Sequence, residues 1–103
     1  MHKIIYYVPE SHLEITKAAL FSAGAGQYKN YDQCCWQTLG QGQFRPLDHS
    51  QPFIGESNQL TQIAEYRVEL ICEDDKLQQA ITALRSAHPY EEPAIDVWRL
   101  ETV

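Results

Sequence analysis

The sequence predicts an α+β fold in which two β-α-β units contribute four strands to one antiparallel sheet with both helices on one face. Three observations carry that prediction. Residues 2–8 read H-K-I-I-Y-Y-V, a run of β-branched and aromatic types that ends at Pro9. Residues 66–72 alternate cleanly, with Tyr66, Val68, Leu70 and Cys72 on one face and Arg67 and Glu69 on the other. Each run is followed by a helical pattern, and a last apolar stretch from Ala94 to Glu101 closes the second unit.

The elements follow in order. After the first strand, Ser11-His12-Leu13-Glu14 has the S-x-x-E form of a capping box, so a helix is expected to start there. Leu13, Leu20 and Phe21 share its apolar face, with Lys17 lending its stem, and Gly24 is the expected stop. Residues 27–39 carry Tyr28, Tyr31, Cys34, Cys35, Trp36 and Leu39 and read as a second strand with a polar turn near Asn30 and Asp32. Gly40-Gln41-Gly42 reads as a turn, after which Gln43-Phe44-Arg45 pairs back as a short extra β arm ending at Pro46. Residues 47–59 are polar apart from Phe53 and Ile54 and form a loop long enough to serve function or contact a partner. Asp74 or Asp75 is expected to cap a second helix, in which Leu77, Ala80, Ile81 and Leu84 form an apolar stripe. The prolines of His88-Pro89-Tyr90-Glu91-Glu92-Pro93 end that helix before the final strand. The order is that of a ferredoxin-like split β-α-β fold with an extra β arm.

At 103 residues the chain is expected to be a single domain spanning 1–103. A hydrophobic fraction of 44% and a charged fraction of 21% are those of a folded globular protein. A net charge of −6 opposes binding to nucleic acid, whose phosphates the surface would repel. No apolar run reaches the roughly 20 residues of a membrane span, and the start lacks a secretory pattern, so no membrane association and a cytoplasmic location are expected. Three cysteines with no C-x-x-C pair read as reduced thiols in a reducing compartment.

One side of the sheet is left without helices. Ile4, Tyr6 and Val8 face one way along the first strand, and Ile5 and Tyr7 face the other. At about 25 cal/mol per Å², wetting several such side chains would forfeit several kcal/mol, so a second subunit is expected to cover them.

The densest polar constellation is His88 to Pro93, which offers an imidazole, a phenol and two carboxylates in a stretch stiffened by proline. Three readings compete there: His88 capping the helix end, binding of a ligand or a divalent metal ion through His88 and Glu91, and catalysis. His2, His12 and His49 are dispersed and read as surface residues. Cys34 and Cys35 point to opposite faces of a strand, which argues against a copper site. Gly40-Gln41-Gly42 lacks the rest of a phosphate-binding loop, and no HExxH or GxSxG signature is present.

Several separate motifs carry a resemblance. Tyr7-Val8-Pro9-Glu10, Ala23-Gly24-Ala25-Gly26 with Tyr28, Asn30 and Tyr31, Gly42-Gln43-Phe44-Arg45-Pro46, Pro52-Phe53-Ile54-Gly55 and His88-Pro89-Tyr90-Glu91-Glu92-Pro93 together resemble the small domain inserted in bacterial Nif-three-like (YqfO-type) proteins. The His-Pro-Tyr-Glu stretch also resembles CutA. The resemblance implies a stand-alone PII/CutA-like domain, ferredoxin-like and trimeric, without the larger flanking domain whose residues hold that family's two metal ions. The role it implies is a non-enzymatic oligomeric binding or regulatory module sensing a small ligand or cation between subunits. Its ligand-binding residues would be His88, Tyr90, Glu91, Glu92, Phe44 and Arg45, with no catalytic residues, and its partners a small molecule or a protein. The alternatives are a CutA-type divalent metal-ion binder, with His88 and Glu91 as ligands and the ion as the only cofactor, and more weakly a nucleotide hydrolase.

Overall fold

A computed structural model describes all of residues 1–103. Its chain runs β1 (His2–Val8), α1 (Leu13–Ser22), β2 (Trp36–Phe44), β3 (Thr61–Cys72), α2 (Leu77–Ala87) and β4 (Ile95–Arg99). The four strands form one antiparallel sheet in the order β2-β3-β1-β4. That is the ferredoxin-like arrangement the two β-α-β units predict, with β1 and β3 in the centre.

Both helices pack on the same sheet face. Ile4, Tyr6 and Val8 of β1 and Val68, Leu70 and Cys72 of β3 meet Leu13 and Leu20 of α1 and Ala80 and Leu84 of α2 in one buried cluster. Residues paired across β1 and β3, such as Ile4 with Leu70 and Tyr6 with Val68, share that face. One polar pair sits inside the cluster, where Tyr6 Oη lies 2.9 Å from Thr16 Oγ1. Thr16 already directs its proton to the carbonyls of His12 and Leu13, at 2.8 and 2.9 Å, so the Tyr6 hydroxyl is the donor between them. Burial pushes the Tyr6 phenol up to about 12.

The helix ends divide into one expectation met and two corrected. Gly24, at φ 101°, lets the amides of Gly24 and Ala25 turn back to the carbonyls of Phe21 and Leu20, the paired bonds of a Schellman stop. The capping box does not form. Glu10–His12 is a tight 3-10 turn, α1 starts after it with no side-chain cap, and Ser11 Oγ is bonded to His12 Nδ1 instead. Likewise Asp74–Lys76 is a 3-10 turn and α2 starts after it without a side-chain cap from either aspartate. A lead-in 3-10 turn moves the candidate cap back by a turn, away from the amides it would serve.

A further correction concerns the glycines. Gly40 and Gly42 lie within β2, which pairs with β3 without a break from Trp36 opposite Glu69 to Phe44 opposite Thr61. Glycine weakens a strand, which is why a turn is the expected reading, but Gly42 is present for close approach. A Cβ there would stand 2.0 Å from Glu65 Oε1. The extra arm therefore exists in another form: Phe44 pairs with Thr61 rather than folding back on β2, and the outer halves of β2 and β3 extend past β1 as a two-stranded ribbon. The polar turn near Asn30 holds only a single bridge between Tyr28 and Tyr31, and the second strand starts at Trp36.

The open face also departs from expectation. Ile5 is only 1% exposed and lies outside the helix-side cluster. Its cross-strand partners are Glu69 and Asp96. Lys3, the next residue of β1 on that face, and Arg67, diagonal to Ile5 on β3, reach Glu69 at 3.8 and 3.2 Å. Burying Ile5 thus takes no second subunit, and the exposed apolar groups of this face are Trp36 and Trp98, toward its edges. No helix is long and apolar enough to cross a membrane.

Candidate functional site

The loop between β2 and β3 folds back against the segment that follows α2. Its base is closed by the Asn58 amide, which donates to the Pro46 carbonyl at 2.6 Å, and by Asn58 Nδ2 donating to Asp48 Oδ1 at 2.8 Å. Its tip is tied down by the Gln51 amide, which donates to Glu91 Oε2 at 3.0 Å. Phe53, the apolar plug of the loop, stands edge-on to His12 at 5.4 Å and tilted against Tyr90 at 6.4 Å between ring centroids. The space between loop, sheet and post-helix segment is a cleft of about 400 Å³.

His88 anchors the far wall. It is 7% exposed, its Nε2 lies 2.7 Å from the Tyr7 carbonyl, and its Nδ1 accepts the Tyr90 amide at 3.1 Å. An acceptor nitrogen carries no proton, so the ring is the neutral Nε2–H tautomer with both nitrogens engaged. Burial holds its pKa below the ordinary 6.5, against the opposing pull of the Tyr7 carbonyl. His88 therefore caps no helix carbonyl through its ring; only its backbone amide bonds to Leu84.

Tyr90 packs against the His88 ring at 4.7 Å and donates its hydroxyl to Glu65 Oε2 at 3.1 Å. Burial raises the phenol's pKa, and the adjoining Glu65 charge and its bond raise it further, so Tyr90 stays a neutral donor. The other Glu65 oxygen lies over Gly42, in the space a side chain would fill.

Of the residues expected at a ligand site, Phe44, Tyr90, Glu91 and Glu92 line the cleft. His88 stands one layer behind Tyr90. Arg45 is exposed and does not line it, because its neighbours Phe44 and Pro46 turn inward. The loop and the strip from His88 to Glu92 meet within one chain. As for a metal, no three His, Cys, Asp or Glu side chains converge on one point, and neither His88 nitrogen is free.

Glu65, Tyr7 and Gln43 also line the cleft and were not singled out from the sequence. The alternation that marks residues 66–72 continues backward to Thr61, and following it would place Glu65 on the face of Arg67 and Glu69. The supposed turn at Gly40 hid that continuation.

No protein-family profile matches the chain. A protein of Listeria innocua named GTP cyclohydrolase 1 type 2 homolog is 46% identical over 101 residues, which cover 97% of this chain and 27% of that protein. A Bacillus cereus protein described as related to NIF3 superposes with a TM-score of 0.83 at 37% identity, over 98% of this chain and 26% of its own. The chain is similar to a segment of NIF3-related proteins. It spans about a quarter of the length of the curated relatives it matches. The fold itself recurs in a PII-like protein CutA from Nostoc, with a TM-score of 0.70 at 13% identity, over 98% of this chain and 82% of that one. The chain thus has a PII/CutA-like, ferredoxin-like fold, as the motifs imply.

Proposed function

We propose that this chain is a non-enzymatic binding module of a regulatory kind, which seats a small ligand in the cleft under the β2–β3 loop. The observation that supports it is convergence. Two segments some 40 residues apart, the loop and the strip after α2, close on one cavity of a size that holds small molecules. The imidazole and the phenol there are already committed: both His88 nitrogens are bonded, and the Tyr90 hydroxyl is held as a donor to Glu65. Such a wall positions a ligand rather than transforms it. Oligomerisation belongs to the same proposal, with a second copy seated over Trp36 and Trp98, which stand 58% and 54% exposed on the open face; a trimer is the form the resemblance implies.

The test is a fragment titration of the isotopically labelled chain followed by amide NMR. Ligands should move the amides of Gln51, Phe53 and Tyr90. Fragments that move only amides elsewhere would remove the cleft from the proposal. Light scattering over a dilution series tests the assembly, and a monomer at every concentration would sink that part alone.

A divalent-ion site at His88 and Glu91 is weaker on this geometry, since His88 would first have to give up one of its two hydrogen bonds. A nucleotide hydrolase, which the name of the longer relatives brings to mind, fits the cleft poorly: Glu65, Glu91 and Glu92 would repel a polyphosphate.

A further inference from the structure

We propose that the ligand of this cleft is a small organic cation, an ammonium or guanidinium group on an apolar body. The inference rests on the reading of the cleft as a binding site and names the chemical class of what enters it. The cavity marks the site, and the character of its walls sets the class.

Three carboxylates line it, those of Glu65, Glu91 and Glu92, and no Lys, Arg or His does. None of the three takes part in any of the chain's ion pairs. Their hydrogen bonds come from neutral donors, the Tyr90 hydroxyl and the Gln51 amide, which leave the negative charge uncompensated. Glu65 is half-buried, where water screens a charge less than on an open surface. An entering cation would therefore be attracted by all three carboxylates, and an anion repelled.

The rest of the wall suits the body of such a ligand. Tyr7, Phe44, Phe53 and Tyr90 line the cleft, and aromatic faces attract a cation as well as bury apolar surface. Gly42 adds a positional device. Any side chain there would displace the Glu65 carboxylate, so the glycine holds room for an acid at the inner end of the cleft.

The test uses three near-isosteric probes that differ in charge: tryptamine, its neutral alcohol tryptophol, and the anion indole-3-acetate. Each is titrated into the full chain, with affinity read from the shifts of the cleft amides. Tryptamine should bind about tenfold more tightly than tryptophol, with indole-3-acetate weakest. Glu65→Gln, which keeps an acceptor for Tyr90, should cut the preference for tryptamine over tryptophol by about threefold. Glu92→Gln, on an exposed side chain, provides the same comparison should Glu65→Gln lose its fold, with a smaller drop expected. Tryptophol or indole-3-acetate binding at the cleft as well as tryptamine would overturn the cation assignment and leave the cleft a binding site. Cleft amides unmoved by all three at millimolar concentration would overturn both.

Discussion

The two halves of β3 are one strand in two environments. Tyr66–Cys72 pairs with β1, and with β2 as far as Glu69, with helices beneath, and Val68, Leu70 and Cys72 are each at most 3% exposed. Thr61–Glu65 pairs with β2 alone, and none of its residues is buried. The inner half is held by ladders to β1 and β2 as well as by the helices beneath it, whereas the outer half has one ladder and no layer, so the two differ in both pairing and cover. The cleft sits where the two halves meet, with Glu65 as the last residue of the uncovered half. Loops and ribbons of low local stability can adjust to a ligand, whereas a packed centre cannot.

The sharpest challenge to this contrast is truncation on either side of the boundary. Ile4→Ala or Leu84→Ala, in the covered half, should lower unfolding free energy by about 2–5 kcal/mol in urea titrations. Gln41→Ala, exposed on the outer part of β2 opposite Ala64, should change it by no more than about 0.5 kcal/mol. Equal losses at the two positions would show that the ribbon is as well packed as the core.

His88 links the halves, and His88→Ala should cost about 2–3 kcal/mol, through the lost bonds to Tyr7 and Tyr90 and the space left behind. The same residue predicts a dependence on acid. Its folded pKa lies below 6.5, so its contribution is complete above about pH 6.5 and is lost as pH falls below that value, when the unfolded chain takes up the proton more readily. Urea midpoints between pH 7 and 5 should fall in the wild type and fall less in His88→Gln.

Tyr6 refines the picture at the alkaline end. With its phenol pushed up to about 12, the folded state holds the proton longer than the unfolded chain, so roughly 2–3 kcal/mol of stability should be lost as pH rises from about 10 to about 12. Tyr6→Phe should make that slope shallower, leaving the part due to Tyr90, while itself costing about 1 kcal/mol at neutral pH.

The smallest effect on stability is expected at Gly42→Ala. A flexible Glu65 side chain can swing away from the added methyl, so unfolding free energy should shift by less than about 0.5 kcal/mol. Spectroscopic titration should nevertheless find Tyr90 easier to ionise once Glu65 is displaced. A large loss of stability with an unchanged Tyr90 would reverse the assignment of Gly42 to the site.

What could be read from the chain follows this same boundary. β1, the inner half of β3 and the stripe of α2 were legible because their apolar residues repeat with the period of one covered face. The limits of β2 were not, because Gly40 and Gly42 mimic a turn when their partner across the sheet is unseen. At the site, Tyr90, Glu91 and Glu92 stood out as a polar cluster between prolines, and Phe44 through its motif. Glu65 sat unremarked at the start of a strand, and Arg45 shared Phe44's motif but not its direction.

The order of elements, the sign of the surface charge and the face each central strand turns inward follow from the sequence by itself, since they depend on neighbours a few residues apart. Only the tertiary structure decided that Glu65 lies over Gly42, that the loop reaches Glu91, and that both nitrogens of His88 are occupied. Apart from the local bond between Tyr90 and His88, those contacts join positions about 20 to 80 residues apart, and they depend on strand register and loop closure, which a local pattern does not encode.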